Sequence, residues 1–189
     1  MNAKKMFLSM GLILFSAGLL YAQSSEERKS SFQLTFVPPL GTQGIFASQY
    51  TNQVSLNIIA GISKNENVFT LGGVANLVKE NASGFQLAGV TNYVGNSSSG
   101  FQLAGVYNGI GGEGNGILMA GVANSSRAYS GTQIAGVMNV AGNLDGTQLA
   151  GVINVAKRVK GVQIAALLNI AEESDYPSKL LFVLANHIS

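Results

Sequence analysis

One amide-bearing residue recurs along this chain at an almost unchanging step. Asn76, Asn92, Asn108, Asn124, Asn139, Asn154 and Asn169 follow one another at spacings of 16, 16, 16, 15, 15 and 15. Gln86, Gln102, Gln133, Gln148 and Gln163 keep the same step, with Leu118 standing once where Gln is due. Gly84, Gly100, Gly116, Gly131, Gly146 and Gly161 open the units. The unit reads Gly-x-Gln-(Leu/Ile)-Ala-Gly-Val-x-Asn-(Val/Ile) and is clearest in 84–94 and 146–156. A fixed period of this length marks a repeat architecture, in which a unit cannot bury its inner face alone and stacks on its neighbours.

Within a unit the pattern is that of a strand. Phe85, Leu87, Gly89, Thr91 and Tyr93 alternate with Gln86, Ala88, Val90, Asn92 and Val94, so the first set points one way and the second the other. A 3.6-residue period does not fit, and the Gly in every segment would weaken a helix. Turn formers such as Gly95-Asn96-Ser97-Ser98-Ser99 and Gly111-Gly112-Glu113-Gly114-Asn115 separate the units. Lys79, Glu80, Glu113, Arg127, Asp145, Lys157, Arg158 and Lys160 all fall in these connectors. Connectors are therefore expected in water and strands covered. Charged residues make up only 11% of the chain against 24 Gly, which favours β-structure with tight turns over helices laced with ion pairs.

Two all-β architectures share this period. In a β-solenoid-like stack of 15–16-residue repeats each unit is one coil, and equivalent residues lie about 4.8 Å apart along the axis. Asn above Asn and Gln above Gln then form amide ladders, which gives a buried amide a reason to recur. The structural ladder positions are the seven Asn and five Gln residues named above. The alternative is a small antiparallel outer-membrane β-barrel of about ten strands, with Phe85, Leu87, Thr91 and Tyr93 toward lipid and Gln86 and Asn92 in the lumen. The near-constant unit length and uniformly short connectors favour the stack.

The segments divide as follows. Residues 1–22 read as a signal peptide, with Lys4 and Lys5 ahead of an apolar run from Met6 to Leu20 and a cut after Ala22. Residues 23–30 are a flexible polar N-terminus, 31–66 an N-terminal β cap segment, 67–171 the repeat array and 172–189 a C-terminal cap. Phe69–Asn76 is a weaker repeat that has lost its Gln, and Ser55-Leu56-Asn57-Ile58 is a further degenerate copy. Terminal units of a stack must differ from internal ones, because an internal unit exposes a sticky edge.

The net charge of +2 belongs to the leader: removing Lys4 and Lys5 from 11 basic residues leaves 9 against 9 acidic ones. A balanced chain carries no electrostatic footprint for nucleic acid or an anionic membrane. With no Cys there are no disulfides, thiolate metal sites or cysteine nucleophiles. Gly109–Gly114 matches Gly-x-Gly-x-x-Gly, yet it lies between two strands, where a dinucleotide fingerprint needs a helix to follow. His187 is the only His, and Asp145 and Asp175 the only Asp residues, too sparse a set for a nucleophilic triad. Glu172, Glu173 and Asp175 read as a solvated turn in preference to a Ca²⁺ site. Asn81, Asn96 and Asn124 head glycosylation-type triplets that read as turns. No cofactor is implied.

The Gln-x-Ala-Gly-x-x-Asn units, together with the opening Phe36-Val37-Pro38-Pro39-Leu40-Gly41-Thr42, Tyr50-Thr51-Asn52, Ser55–Gly61 and a closing Asp175-Tyr176-Pro177, resemble a family of exported bacterial surface-repeat-containing proteins of Bacteroidetes and spirochaete type. The likeness covers about residues 31–178 and departs from the family beyond Pro177. It implies an exported location and a variable repeat number, which suits a stack, and it implies no activity for any residue. The expected function is a non-enzymatic surface or envelope repeat protein, in the periplasm, outer membrane or cell surface. It would present an elongated β-face to an unknown protein or glycan, with outer-membrane association as a further possibility. The alternative is an integral outer-membrane barrel, structural or pore-forming, and an enzyme is a distant third.

Overall fold

A computed structural model describes residues 27–174 and a last strand at 185–188. Residues 1–22, expected as a signal peptide, and Asp175 lie outside the described residues. The chain opens with β1 (Arg28–Val37), β2 (Leu40–Gly41), a 3-10 turn (Gly44–Gln49), β3 (Tyr50–Asn57), β4 (Ala60–Ser63), β5 (Asn65–Gly72) and β6 (Ala75–Val78). It continues with β7 (Ala82–Ala88), β8 (Thr91–Val94), β9 (Ser98–Ala104), β10 (Tyr107–Ala120), β11 (Ala123–Ala135), β12 (Met138–Ala150), β13 (Ile153–Ala165), β14 (Leu168–Ser174) and β15 (Ala185–Ile188).

Equivalent strands of successive repeats pair in parallel. Between β12 and β13, Asn139 lies opposite Asn154, Ala141 opposite Ala156, Gly146 opposite Gly161, Gln148 opposite Gln163 and Ala150 opposite Ala165. The same register runs through β10–β11, β11–β12 and β13–β14. Among the described residues the only antiparallel pair is β1–β2. This is a β-solenoid. The antiparallel barrel is overturned, since its neighbouring strands would run in opposite directions. A stack also explains the recurrence of Asn and Gln in every unit, which no barrel geometry requires.

Where alternation slips shows how a coil turns. Along one coil the buried positions are Asn139, Ala141, Leu144, Gln148 and Ala150, then Asn154 of the next. The runs of two or three outward residues at 142–143, 145–147 and 151–153 mark three corners, so the coil has three faces. We call them the Asn face (138–141), the connector face (143–145) and the Gln face (147–150). Val90 was expected to point inward with Gln86 and Asn92; instead it is 41% exposed. It lies with Gly89 on the corner between the Gln and Asn faces, where two outward residues in succession let the chain turn. The sixteenth residue of the longer units is absorbed at another corner: Ile110 to Glu113 spans the same distance as Ser126 to Ala128.

Both ends of the stack differ from its middle. The outer edge of β1 pairs with short antiparallel β2, which cannot template another coil. Arg28 lies over the Phe46 ring at 4.4 Å, tying the 3-10 turn to this end. β1 takes in Arg28–Ser30, three residues of the segment expected as a loose polar lead. At the other end β15 pairs with β14 and brings Asn186 into register with Asn169.

The interior is apolar only in part. Ile110, Leu118, Tyr129, Leu144, Val159 and three Ala residues form one cluster toward the C-terminal end. A smaller one holds Val78, Ala82 and Val94. Toward the N-terminus the buried side chains are Gln33, Thr35, Asn52, Ser55, Asn57, Ser63, Glu66 and Thr70. The expectation that strands are covered holds for their inner faces alone. Outward residues such as Phe85, 57% exposed, Leu103 and Leu149 meet the surroundings.

Candidate functional site

The seven repeat Asn residues, all buried, form one continuous chain of amide–amide bonds. Asn76 Nδ2 donates to Asn92 Oδ1 at 2.9 Å, Asn92 to Asn108 at 3.0 Å and Asn108 to Asn124 at 3.0 Å. The series continues from Asn124 to Asn139, Asn154 and Asn169 at 2.9, 3.0 and 2.9 Å. From Asn76 to Asn154 the second proton of each amide goes to a backbone carbonyl beside the corner that follows the Gln face: from Asn92 to Leu103 O, from Asn139 to Leu149 O, from Asn154 to Ile164 O. A side chain that both continues the ladder and satisfies a corner carbonyl explains why Asn, and no apolar residue, holds this column.

The ladder opens on an exchange of residues. In β4 the position in register with Asn76 is Gly61, while Asn57 stands in β3 where later units have a small residue. The Asn57 side chain fills the space over Gly61 and donates to Asn76 Oδ1 at 3.0 Å. The degenerate copy noted in the sequence is thus a full coil whose Asn reaches the column from a neighbouring strand.

The Gln column is less continuous. Gln163 donates to Gln148 at 2.8 Å and Gln148 to Gln133 at 2.7 Å, opposite in sense to the Asn ladder. The run stops at Leu118, and Gln133 turns to Ser126 Oγ. Gln102 donates to Ser98, and the Oε1 atoms of Gln86 and Gln102 are buried with no hydrogen-bond partner. Both columns are interior and offer nothing to a glycan or other ligand.

Sequence reasoning missed Glu66, a carboxyl only 2% exposed in the N-terminal interior. It accepts from Asn52 Nδ2 at 3.1 Å, from Ser55 Oγ at 2.7 Å and from Thr70 Oγ1 at 3.0 Å. Burial pushes its pKa above the ordinary carboxylate range, and the hydrogen bonds only partly oppose this. Strand placement gave no signal for it: the segments expected as connectors are themselves strand, so Glu113, Asp145, Arg158 and Lys160 also lie inside strands, but they face outward. The Glu66 side chain lies at a groove of about 640 Å³ along the connector face, lined also by Asn67, Ser83, Ser99, Glu113 and Asn115.

The connector face and its corners carry the charges of the coils, some of them paired between neighbours. Arg158 meets Glu173 at 2.9 Å, Lys160 meets Asp145 at 3.4 Å and Lys64 meets Glu80 at 3.8 Å. Such exposed pairs contribute at most about 1 kcal/mol each. Asn81 and Asn96 bond to each other on this face, whereas Asn124 belongs to the ladder. Of the other candidate residues, Asp145 and Glu173 are held in these pairs, and no side chain is described for His187.

The other two faces are different in kind. On the Gln face, Leu34, Leu56, Leu71, Leu87, Leu103, Met119, Ile134, Leu149 and Ile164 stack in one outward column. Beside it run Phe69, Phe85, Phe101, Ile117, Thr132, Thr147 and Val162, with the Phe85 and Phe101 rings 6.1 Å apart. The corner column is Val74, Val90, Val106, Val122 and Val137, each exposed by about two fifths. Beyond it the Asn face presents Leu77, Tyr93, Gly109, Ser125, Val140, Val155 and Ile170. Among the described residues no charged side chain lies on these columns. The signal was in the sequence: the Leu of every Gln-Leu-Ala triplet alternates with the buried Gln and so must face out.

The chain matches no protein-family model, and comparison with curated proteins and with solved structures finds no match.

Proposed function

We propose that the protein is an exported, non-enzymatic envelope or surface component that works by contact through an elongated β-face. The observation that carries this reading is the exterior of two of the three faces, uncharged among the described residues and mostly apolar from coil to coil. A monomer seldom exposes a contiguous apolar patch beyond about 300–600 Å², and larger ones mark contact surfaces. The leader-like first 22 residues and the surface-repeat resemblance support an envelope location.

The chain has no Cys, so single-Cys variants report cleanly. Asp145→Cys on the connector face and Leu149→Cys on the Gln face lie four residues apart in β12. Both would be treated, in intact cells exporting the full chain, with a maleimide that does not cross the inner membrane. The expected result is labelling at 145 and protection at 149 that detergent abolishes. Equal labelling at both positions would remove the contact reading, and labelling of neither until the cytoplasm is opened would remove export.

A further inference from the structure

We infer that the occupant of this exterior is lipid: the solenoid lies on a bilayer with its Gln and Asn faces and their shared Val corner in the hydrocarbon, and its connector face in water. This rests on the contact reading above and names the partner. Three observations carry it.

The first is segregation of charge. Lys79, Glu80, Glu113, Asp145, Arg158 and Lys160 sit on the connector face or its corners. The outer columns of the other two faces carry none among the described residues. A protein interface is ordinarily ringed by a polar rim on each side of an apolar core. Here the apolar surface runs round a whole corner and stops only where the third face begins.

The second is shape and area. Nine coils' worth of Leu column spans about 38 Å at 4.8 Å per step, and a face of four residues is about 13 Å wide at 3.3 Å each. One face is therefore about 500 Å². A second copy laid flat on it would bury about 1,000 Å² in total, below the roughly 1,200–2,000 Å² of a stable specific interface. It would also leave the other face bare. The two faces meet at a convex edge, marked by exposed Val90, Val106, Val122 and Val137. A fluid medium covers both sides of such a wedge at once. With 13 Å sides the wedge enters to about 10 Å, within one leaflet of a hydrocarbon core about 30 Å thick.

The third is the backbone. Irregular chain is excluded from hydrocarbon because unpaired amides are costly there. In this stack even the corners are paired along the axis: Val106 N donates to Val90 O at 2.9 Å and Val137 N to Val122 O at 3.0 Å. Sheet and corner alike can therefore face lipid. With no charge on the buried faces, the attraction is apolar and insensitive to salt.

Trp is absent from the chain, so a single Trp reports its own surroundings. Leu103→Trp on the Gln face, Val137→Trp on the edge and Asn115→Trp on the connector face would each be made in the full chain. Each is mixed with phosphatidylcholine vesicles carrying brominated acyl chains. The Trp residues at 103 and 137 should shift to the blue and lose most of their emission, equally at low and high salt, while that at 115 keeps its own. Circular dichroism confirms that each variant is folded, and position 115 shows whether an uncleaved leader alone anchors the chain. Emission at 103 and 137 that matches 115 overturns the proposal even if the chain floats with the vesicles. Emission at 103 already blue without lipid, and reverting on dilution, assigns the face to a second copy and also overturns it. Loss of quenching at 103 with Leu149→Cys still protected in cells would sink the lipid partner and leave the contact reading standing.

Discussion

Asn139 gathers four relations at one buried amide. It accepts from Asn124 at 2.9 Å and donates to Asn154 at 3.0 Å and to Leu149 O at 2.8 Å, with a longer contact to Gln133 O at 3.4 Å. Asn139→Ala removes the amide and strands three partners in an interior that water does not reach. Each buried group left unpaired costs roughly 1–3 kcal/mol, so the expected loss is at least about 3 kcal/mol. Chemical denaturation against the parent chain measures it. Glu66 acts in the opposite sense. Its folded pKa is raised by burial above the unfolded one, so its contribution favours the fold fully below the unfolded pKa and is lost as pH rises through the folded value. Glu66→Gln keeps the shape and removes the ionisation. Its melting temperature should match the parent near pH 4 and exceed it at pH 8; equal melting at both pH values would show that the cage of Asn52, Ser55 and Thr70 already offsets burial.

Turns and strands of this fold obey different constraints. The unit-opening Gly column turns the connector face into the Gln face at positive φ. Gly131 has φ +124°, and a Cβ there would run into the carbonyl oxygen of Gly116 in the preceding coil. Gly44, at φ +55°, has open space where a Cβ would lie. Gly44→Ala should therefore cost only the left-handed penalty of about 1–2 kcal/mol, and Gly131→Ala clearly more, because neither backbone can yield. Paired thermal melts test the difference. Much of this was legible from the chain. The near-constant step of 15–16 residues pointed to strand, register and the inward set Gln86, Ala88, Asn92 and Val94. Val90 was misplaced because strict alternation has no term for a corner, where two residues in succession face out. The Asn57–Gly61 exchange was visible only as a degenerate repeat, since register across strands is a tertiary fact. Glu66 escaped notice because its cage depends on Asn52 and Ser55 arriving from β3 to join Thr70 of its own strand.

At the scale of the whole molecule, a parallel stack is close to one-dimensional, each coil touching only the coil before and the coil after. Register therefore depends on the length removed and barely on which coil is removed. Deleting residues 138–152 joins Val137 to Ile153 and sets Asn154 on Asn124, Gln163 on Gln133 and Gly161 on Gly131, one coil having been excised. The ladder closes again, the Leu column loses one member, and both caps are untouched. Such a chain should fold, with circular dichroism per residue unchanged and stability lowered by about one nearest-neighbour interface. Deleting residues 138–149 instead removes three residues fewer. It sets Ala150 where Met138 was and Gly151 where Asn139 was, so apolar outward residues are driven inward against buried amides. That chain should fail to give a cooperative melt. If both deletions fold equally well, the Asn and Gln columns do not specify the register. The stack would then be held by backbone pairing alone, with the amides as passengers.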